Sequence, residues 1–405
     1  MQERIAVPLA PSIRIILGES SNGLLRLNVL FDQLKSWAGR ILRLELSLSG
    51  TSDFSWSESF VCDPQEKLKT VIMHRFLLSN GQYTITAYLF NGSTLIQKAG
   101  ARIQVDNEID GSNLHRSSAL QTPLFVAEGR LDSRHYSYDR SEVIPWFDGK
   151  GASQTLHEQG HLKGLKESEI ENLRNFINEG FISLPNLIGP ELLAKVKSEI
   201  SDAAERAEIS QDRSGQRLEG LHHQYEGIRE IWLFPEILRW LELIFGQRAA
   251  PCQTLVFPYG SEQHYHQDTI HLTPFPAGYM CGVWVAIEDV QEGAGELIFY
   301  PGSHRLPRIY MADVGCSKVR NGDWSEFDRK VVSRWRQLID ESGIQPVKYQ
   351  PKKGDVLIWH ENLIHGGLAR MDKSLSRYSV VSHYFSESAI SYYDSTGNAG
   401  FTQKL

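Results

Sequence analysis

The chain has 405 residues, 41% hydrophobic and 10% aromatic, with a formal charge of −7. That length exceeds one ordinary domain, so two are expected, and mild acidity without a basic block argues against nucleic-acid partners. No apolar run approaches the roughly eighteen residues of a membrane span, and the start, Met1-Gln2-Glu3-Arg4-Ile5, lacks a basic-then-apolar signal. Cys62, Cys252, Cys281 and Cys316 are scattered, with no Cys-x-x-Cys pair. Buried thiols in a reducing cytoplasm are the expectation.

Residues 1–107 read as β-rich. Strand-like runs at 24–29, 41–48, 70–78, 82–90 and 101–105 are separated by Gly, Ser, Asn and Asp, and 81–89 alternates on a period of two. Several short strands at this spacing predict a β-sandwich accessory domain, similar to the immunoglobulin-like modules that accompany glycan-handling proteins. A packing or dimerisation role without a ligand is the plainer reading, and a homo-oligomer is compatible with it. Residues 108–165, rich in Ser, Asp, Gly and His, read as a linker or wrapping segment. The aromatic residues between Tyr136 and Phe147 are expected to dock on a domain rather than form a substrate lid.

The third region, 166–405, opens with amphipathic helices expected at 167–179, 190–207 and 230–245. The polar loop 211–227 is placed to overhang a site; its His222-His223 pair reads as surface, because adjacent loop residues rarely converge on one ion. An insertion at 305–349 carries another helix, with Asp323 as N-cap and Glu326 completing a capping box. Trp324, Phe327, Val331, Trp335, Leu338 and Ile339 share one face there, read as core or interface, and Gly343 ends the helix. Strands are expected at 354–360 and 377–385, the second opened by Arg377 with Ser379 and Val381 on its face. His304 and His360 read as structural.

The most telling stretch is Tyr265-His266-Gln267-Asp268, answered by His365 and then Arg377. At strand spacing His266 and Asp268 point to one side. Two imidazoles and one carboxylate suit Fe(II) and leave positions open for a co-substrate and O₂. Arg377 supplies a fixed cation for a carboxylate, which suggests an iron enzyme using a dicarboxylic oxo acid. His264 stands outside this set.

These residues resemble the phytanoyl-CoA dioxygenase family of Fe(II)/2-oxoglutarate oxygenases. The resemblance spans about 166–390 and rests on Phe176 to Leu187, on His264-Tyr265-His266-Gln267-Asp268, on the segments 283–290 and 295–304, and on His365-Gly366-Gly367 with Arg377. It implies a double-stranded β-helix (jelly-roll, cupin-like) catalytic domain, mainly β with flanking helices. It implies His266, Asp268 and His365 as catalytic iron ligands and Arg377 as the clamp on the far carboxylate of 2-oxoglutarate. Gln253 would be a polar contact to that co-substrate, and Trp284 would line the pocket wall. Gly367 departs from the pattern, since relatives often place Ser there; Ser379 could supply the missing hydroxyl. The implied reaction converts 2-oxoglutarate and O₂ to succinate and CO₂ while an unactivated C–H bond of a small metabolite or sugar-containing intermediate is hydroxylated or otherwise oxidised. Related halogenases replace the carboxylate ligand by a small residue, so Asp268 favours hydroxylation. The rival reading is a non-catalytic jelly-roll or β-sandwich that binds a small molecule or glycan.

Overall fold

A computed structural model describes residues 11–21, 23–49, 55–106, 122–138, 144–207 and 217–403. Expectations for 108–121, for 139–143 of the aromatic segment and for 211–216 of the polar loop lie outside the described residues. The protein is mainly β with a few helices. It divides into two compact units, Met1–Ser137 with Gly397–Ala399, and Tyr138–Thr396 with Gly400–Leu405.

The first unit holds β1 (Ser12–Ser21), β2 (Leu24–Asp32), β3 (Ile41–Leu48), β4 (Ser55–Val61), β5 (Leu68–His74), β6 (Gly81–Asn91), β7 (Thr94–Val105) and β8 (Phe125–Ala127). They form two antiparallel sheets, ordered β1-β2-β5-β8 and β4-β3-β6-β7. Alternation decides what goes inside: Leu25, Leu27, Val29 and Phe31 of one sheet share a core with Leu42, Leu44, Leu46, Ile85 and Leu89 of the other. The unit extends past residue 107 for a physical reason. β8 pairs with β5 through Ile72 and Val126, and Leu124 and Phe125 are buried in the same core. β4, Ser-Trp-Ser-Glu-Ser-Phe-Val, is an edge strand without a buried residue, so it carried little apolar signal.

The second unit begins where a linker was expected. Phe147, Leu156 and Leu162 are buried with the helices that follow, and the Trp146 Nε1 donates to the Ile244 carbonyl (2.8 Å). Helix α1 (Glu167–Glu179) buries Ile170, Leu173, Phe176 and Ile177, and stops at Gly180 in the left-handed region. Helix α2 (Pro190–Arg206) buries Leu193, Val196 and Ile200. The single helix expected at 230–245 is two, α3 (Glu226–Trp232) and α4 (Pro235–Phe245). Pro235 cannot continue a helix but starts one well. The insertion helix α5 spans 325–342, with a π-helical turn at Asp328–Val332. The N-cap is Trp324 rather than Asp323, which lies one residue earlier and still accepts from the Ser325 amide, and Glu326 turns to the Ser317 amide instead of closing a capping box.

The strands of this unit are β9 (Phe181–Leu184), β10 (Leu218–Glu219), β11 (Ala249–Phe257), β12 (Thr273–Phe275), β13 (Met280–Ala286), β14 (Leu297–Phe299), β15 (Val347–Tyr349), β16 (Val356–His360), β17 (His365–Gly367), β18 (Ser379–Ser386) and β19 (Ile390–Tyr393). Six form an antiparallel sheet, β10-β11-β18-β13-β16-β9, and three another, β15-β14-β17. One face of the large sheet, with Val283, Val285, Ile358 and Val380, packs on the helices. The opposite face, with Leu255, Trp284, Leu357 and Val381, packs on Leu297 and Phe299 of the small sheet. No helix among the described residues is long and apolar enough to cross a membrane.

Candidate metal centre

His266 and Asp268 converge differently from a plain strand pair. His266 makes an isolated antiparallel bridge with His365, exchanging backbone hydrogen bonds of 2.9 and 3.1 Å, and Asp268 begins a 3₁₀ turn, Asp268–Ile270. The bridge lays the two imidazoles side by side, ring centres 4.3 Å apart. The turn brings the Asp268 Oδ1 to 3.5 Å from the His266 Nε2 and 3.8 Å from the His365 Nε2. One ligand-capable atom from each of the three residues lies within 4.8 Å of the others.

Surrounding groups set the chemistry of these atoms. The His266 Nδ1 lies 2.8 Å from the His264 carbonyl and the His365 Nδ1 2.9 Å from the Leu363 carbonyl. A carbonyl can only accept, so each Nδ1 carries the proton and each Nε2 presents its lone pair inward. Burial pushes the His365 imidazole down to about 4, which keeps it neutral at pH 7. Burial alone would raise the Asp268 carboxyl, but His365, His266 and His383 together hold it well below the usual carboxylate range. Its other oxygen, Oδ2, accepts from the Trp359 Nε1 (2.9 Å). Gly282 makes room for that indole, since a Cβ there would sit 2.2 Å from the ring. A carboxylate and two imidazoles, each oriented by a second hydrogen bond, fit a divalent iron.

The other predicted residues line the same inner face. Cross-strand register puts Trp284 opposite Val381 and Ser379 opposite Phe257. Arg377 precedes β18 rather than opening it; its guanidinium is buried and donates to the Gly295 carbonyl (2.7 Å). Among the described residues no carboxylate lies within ion-pair distance of it, and burial pushes its pKa down to about 10. The Arg377 Nε, the Ser379 hydroxyl and the Trp284 Nε1 are all buried without a hydrogen-bond partner. The Arg377 Cζ lies 5.9 Å from the centre of the Trp284 ring. A buried cation and two unsatisfied polar groups on one face are complementary to a carboxylate, the group that 2-oxoglutarate would bring. Arg370, seven residues before Arg377, donates from its guanidinium to the Lys373 and Leu375 carbonyls. At Gly367 a Cβ would meet the Ser261 Oγ at 2.4 Å, which accounts for the missing Ser. Gln253 reaches the inner face through a register shift in β11, but its amide lies 3.3 Å from the His383 Nδ1.

Three residues of the site went unnoticed in the sequence. His383, 3.6 Å from the Asp268 Oδ2, continues the alternation Ser379, Val381 and was legible from it. Trp359 lies on the inward phase of β16. His271, its ring 6.3 Å from that of His266, had no such signal, because it follows the 3₁₀ turn. The histidines set aside are structural. The His304 Nε2 contacts the Ile177 carbonyl and His360 accepts from the Asn362 amide. His222, expected at the surface, is buried against Trp232 with its Nδ1 2.8 Å from the Thr254 hydroxyl.

Residues 176–377 match the family model for phytanoyl-CoA dioxygenase (PhyH). The second unit belongs to the phytanoyl-CoA dioxygenase family. Bovine (Bos taurus) peroxisomal phytanoyl-CoA dioxygenase is 22% identical over 281 residues, 62% of this chain and 79% of the relative. The human (Homo sapiens) protein is 24% identical over 174 residues, 41% of this chain and 47% of its own length. Among solved structures, the α-ketoglutarate-dependent carbocyclase SnoK from nogalamycin biosynthesis aligns with a TM-score of 0.46 at 16% identity, covering 58% of this chain and 94% of that one. EctD from S. alaskensis with bound Fe aligns at 0.40 and 16%, covering 52% and 74%. As a member of this family the protein is a dioxygenase that uses Fe(II), 2-oxoglutarate and O₂.

Proposed function

We propose that the enzyme hydroxylates, or otherwise oxidises, an unactivated C–H bond of a small metabolite or sugar-containing intermediate, releasing succinate and CO₂. His266, Asp268 and His365 hold the iron in this reading, and Arg377, with Ser379 and Trp284, holds the far carboxylate of 2-oxoglutarate. The observation that carries it is the buried Arg377 guanidinium, which has no carboxylate partner among the described residues and stands beside two other unsatisfied polar groups. Such a cation is costly unless a ligand anion completes it. Bound iron would supply the oxidising chemistry through oxidative decarboxylation of the oxo acid. The chain's own part is orientation. Trp359 fixes the Asp268 carboxylate, backbone carbonyls fix both imidazoles, and Trp284, Phe257 and Phe299 keep water from the co-substrate.

The two facing sheets of the second unit fit a double-stranded β-helix, and the paired sheets of the first fit an immunoglobulin-like accessory module. Next to the triad, His271 stands beside Trp324, an aromatic residue that is 39% exposed. We take this as the substrate side; an indole surface next to an imidazole suits a ring-bearing molecule with hydrogen-bonding oxygens. Four free thiols support a reducing compartment such as the cytoplasm. The test is succinate formation with Fe(II), 2-oxoglutarate and O₂ across a metabolite panel. The proposal expects slow uncoupled turnover that one class of ring-bearing metabolite accelerates. No succinate under any condition, with iron bound, would leave the non-catalytic binding reading.

A further inference from the structure

The middle residue of the iron motif is held by the insertion. Gln267 is fully buried, and both ends of its amide are engaged. Its Oε1 accepts from the Trp335 Nε1 (2.9 Å), and its Nε2 donates to the Pro307 carbonyl (3.1 Å). An indole N–H only donates and a carbonyl only accepts, so the amide has one satisfied orientation. Trp335 belongs to α5 and is fixed in its own cluster by Ile270, Met311, Phe327, Val331 and Leu338. Its ring lies 6.3 Å from that of His266 and 6.4 Å from that of His271. The π-helical turn just before Trp335 sets its phase on the helix, and π turns frequently mark functional positions. His266 and Asp268 face the site while Gln267 points the other way, into this cluster.

We propose that Trp335 is a positioning residue for the metal centre: through Gln267 it fixes the spacing of His266 and Asp268, which makes the 305–349 insertion part of the iron site rather than a surface addition. This rests on the triad as iron ligands. Loss of a partner that orients metal ligands typically weakens metal affinity about ten- to a hundredfold. The experiment measures the Fe(II) dissociation constant anaerobically, without substrate, for the full chain and for Trp335→Phe, Gln267→Met and the double variant, with thermal unfolding of each apo-protein. The expected result is at least a tenfold weaker dissociation constant in each single variant and no further loss in the double variant, because both singles remove the same link. An additive double variant that follows the fall in unfolding temperature, or an unchanged dissociation constant, overturns the proposal. If Trp335→Phe does not fold, Gln267→Met decides alone. His266→Ala serves as the reference. If it keeps normal iron affinity, the ligand reading itself fails; if it loses iron while Trp335→Phe does not, only the positioning role fails.

Discussion

The two β regions use the same alternation for opposite ends. In the first unit, the inward positions of β2, β3 and β6 are apolar, and their business is burial. In the second, the inward face of the large sheet interleaves Leu255, Leu357 and Val381 with Gln253, Trp284, Ser379 and His383, and Arg377 stands beside it. Burial is worth about 25 cal/mol per Å² of apolar surface, so each polar residue placed inside gives up stability. A region that carries several of them is shaped by something other than folding. In the proposed reading that is a metal centre and a carboxylate site.

The sharpest way to break this contrast is to remove a ligand. His266→Ala, Asp268→Ala and His365→Ala should each lower Fe(II) affinity by more than about a hundredfold, beyond the effect typical of outer partners, and abolish succinate formation. Metal analysis and turnover check this, and full iron content with wild-type turnover in any variant strikes that residue from the set. Next is the cation. Arg377→Gln should raise the apparent KM for 2-oxoglutarate about thirtyfold or more, as loss of one partner of a buried charge pair costs about 2–5 kcal/mol. Iron affinity should hold, and Arg370→Gln should bind 2-oxoglutarate normally; the reverse pattern would move the clamp to Arg370. Trp359→Phe should be milder, weakening iron about tenfold through the lost hydrogen bond to Asp268.

Acid should also separate the regions, by a smaller margin. Burial pushes His222 and His365 down to about 4 and His271 and His304 to about 3, all in the second unit; His74, pushed to about 3, is the counterpart in the first. Each is neutral when folded and takes up a proton more readily when unfolded, near its ordinary 6.5. Their contribution to stability is therefore complete above pH 6.5 and is lost as pH falls toward 4 to 3. Hydrogen exchange of the apo-protein between pH 6.5 and 4.5, corrected for intrinsic rates, should show protection falling faster in the second unit. Equal loss in both would contradict this.

Much of the wall of the candidate site was legible because it lies on strands. Period two places Trp284, Ser379 and His383 on one face, and ligand chemistry singles out His266, Asp268 and His365. What escaped was set by contacts distant in sequence. Nothing in the chain announces that Trp335 meets Gln267 across 68 residues, or that Trp359 meets Asp268 across 91. Nor does it announce that Ser261 crowds Gly367. The end of the first unit was misread because β8, three residues long, is too short to show a period. The helix break at Pro235 was readable from proline chemistry alone.

The most direct test is an anaerobic titration of 2-oxoglutarate into the Fe(II)-loaded protein, followed by charge-transfer absorption. The account predicts a saturable band in the wild type that is lost in His365→Ala and shifted to much higher 2-oxoglutarate in Arg377→Gln. A band that persists unchanged in both variants would contradict it.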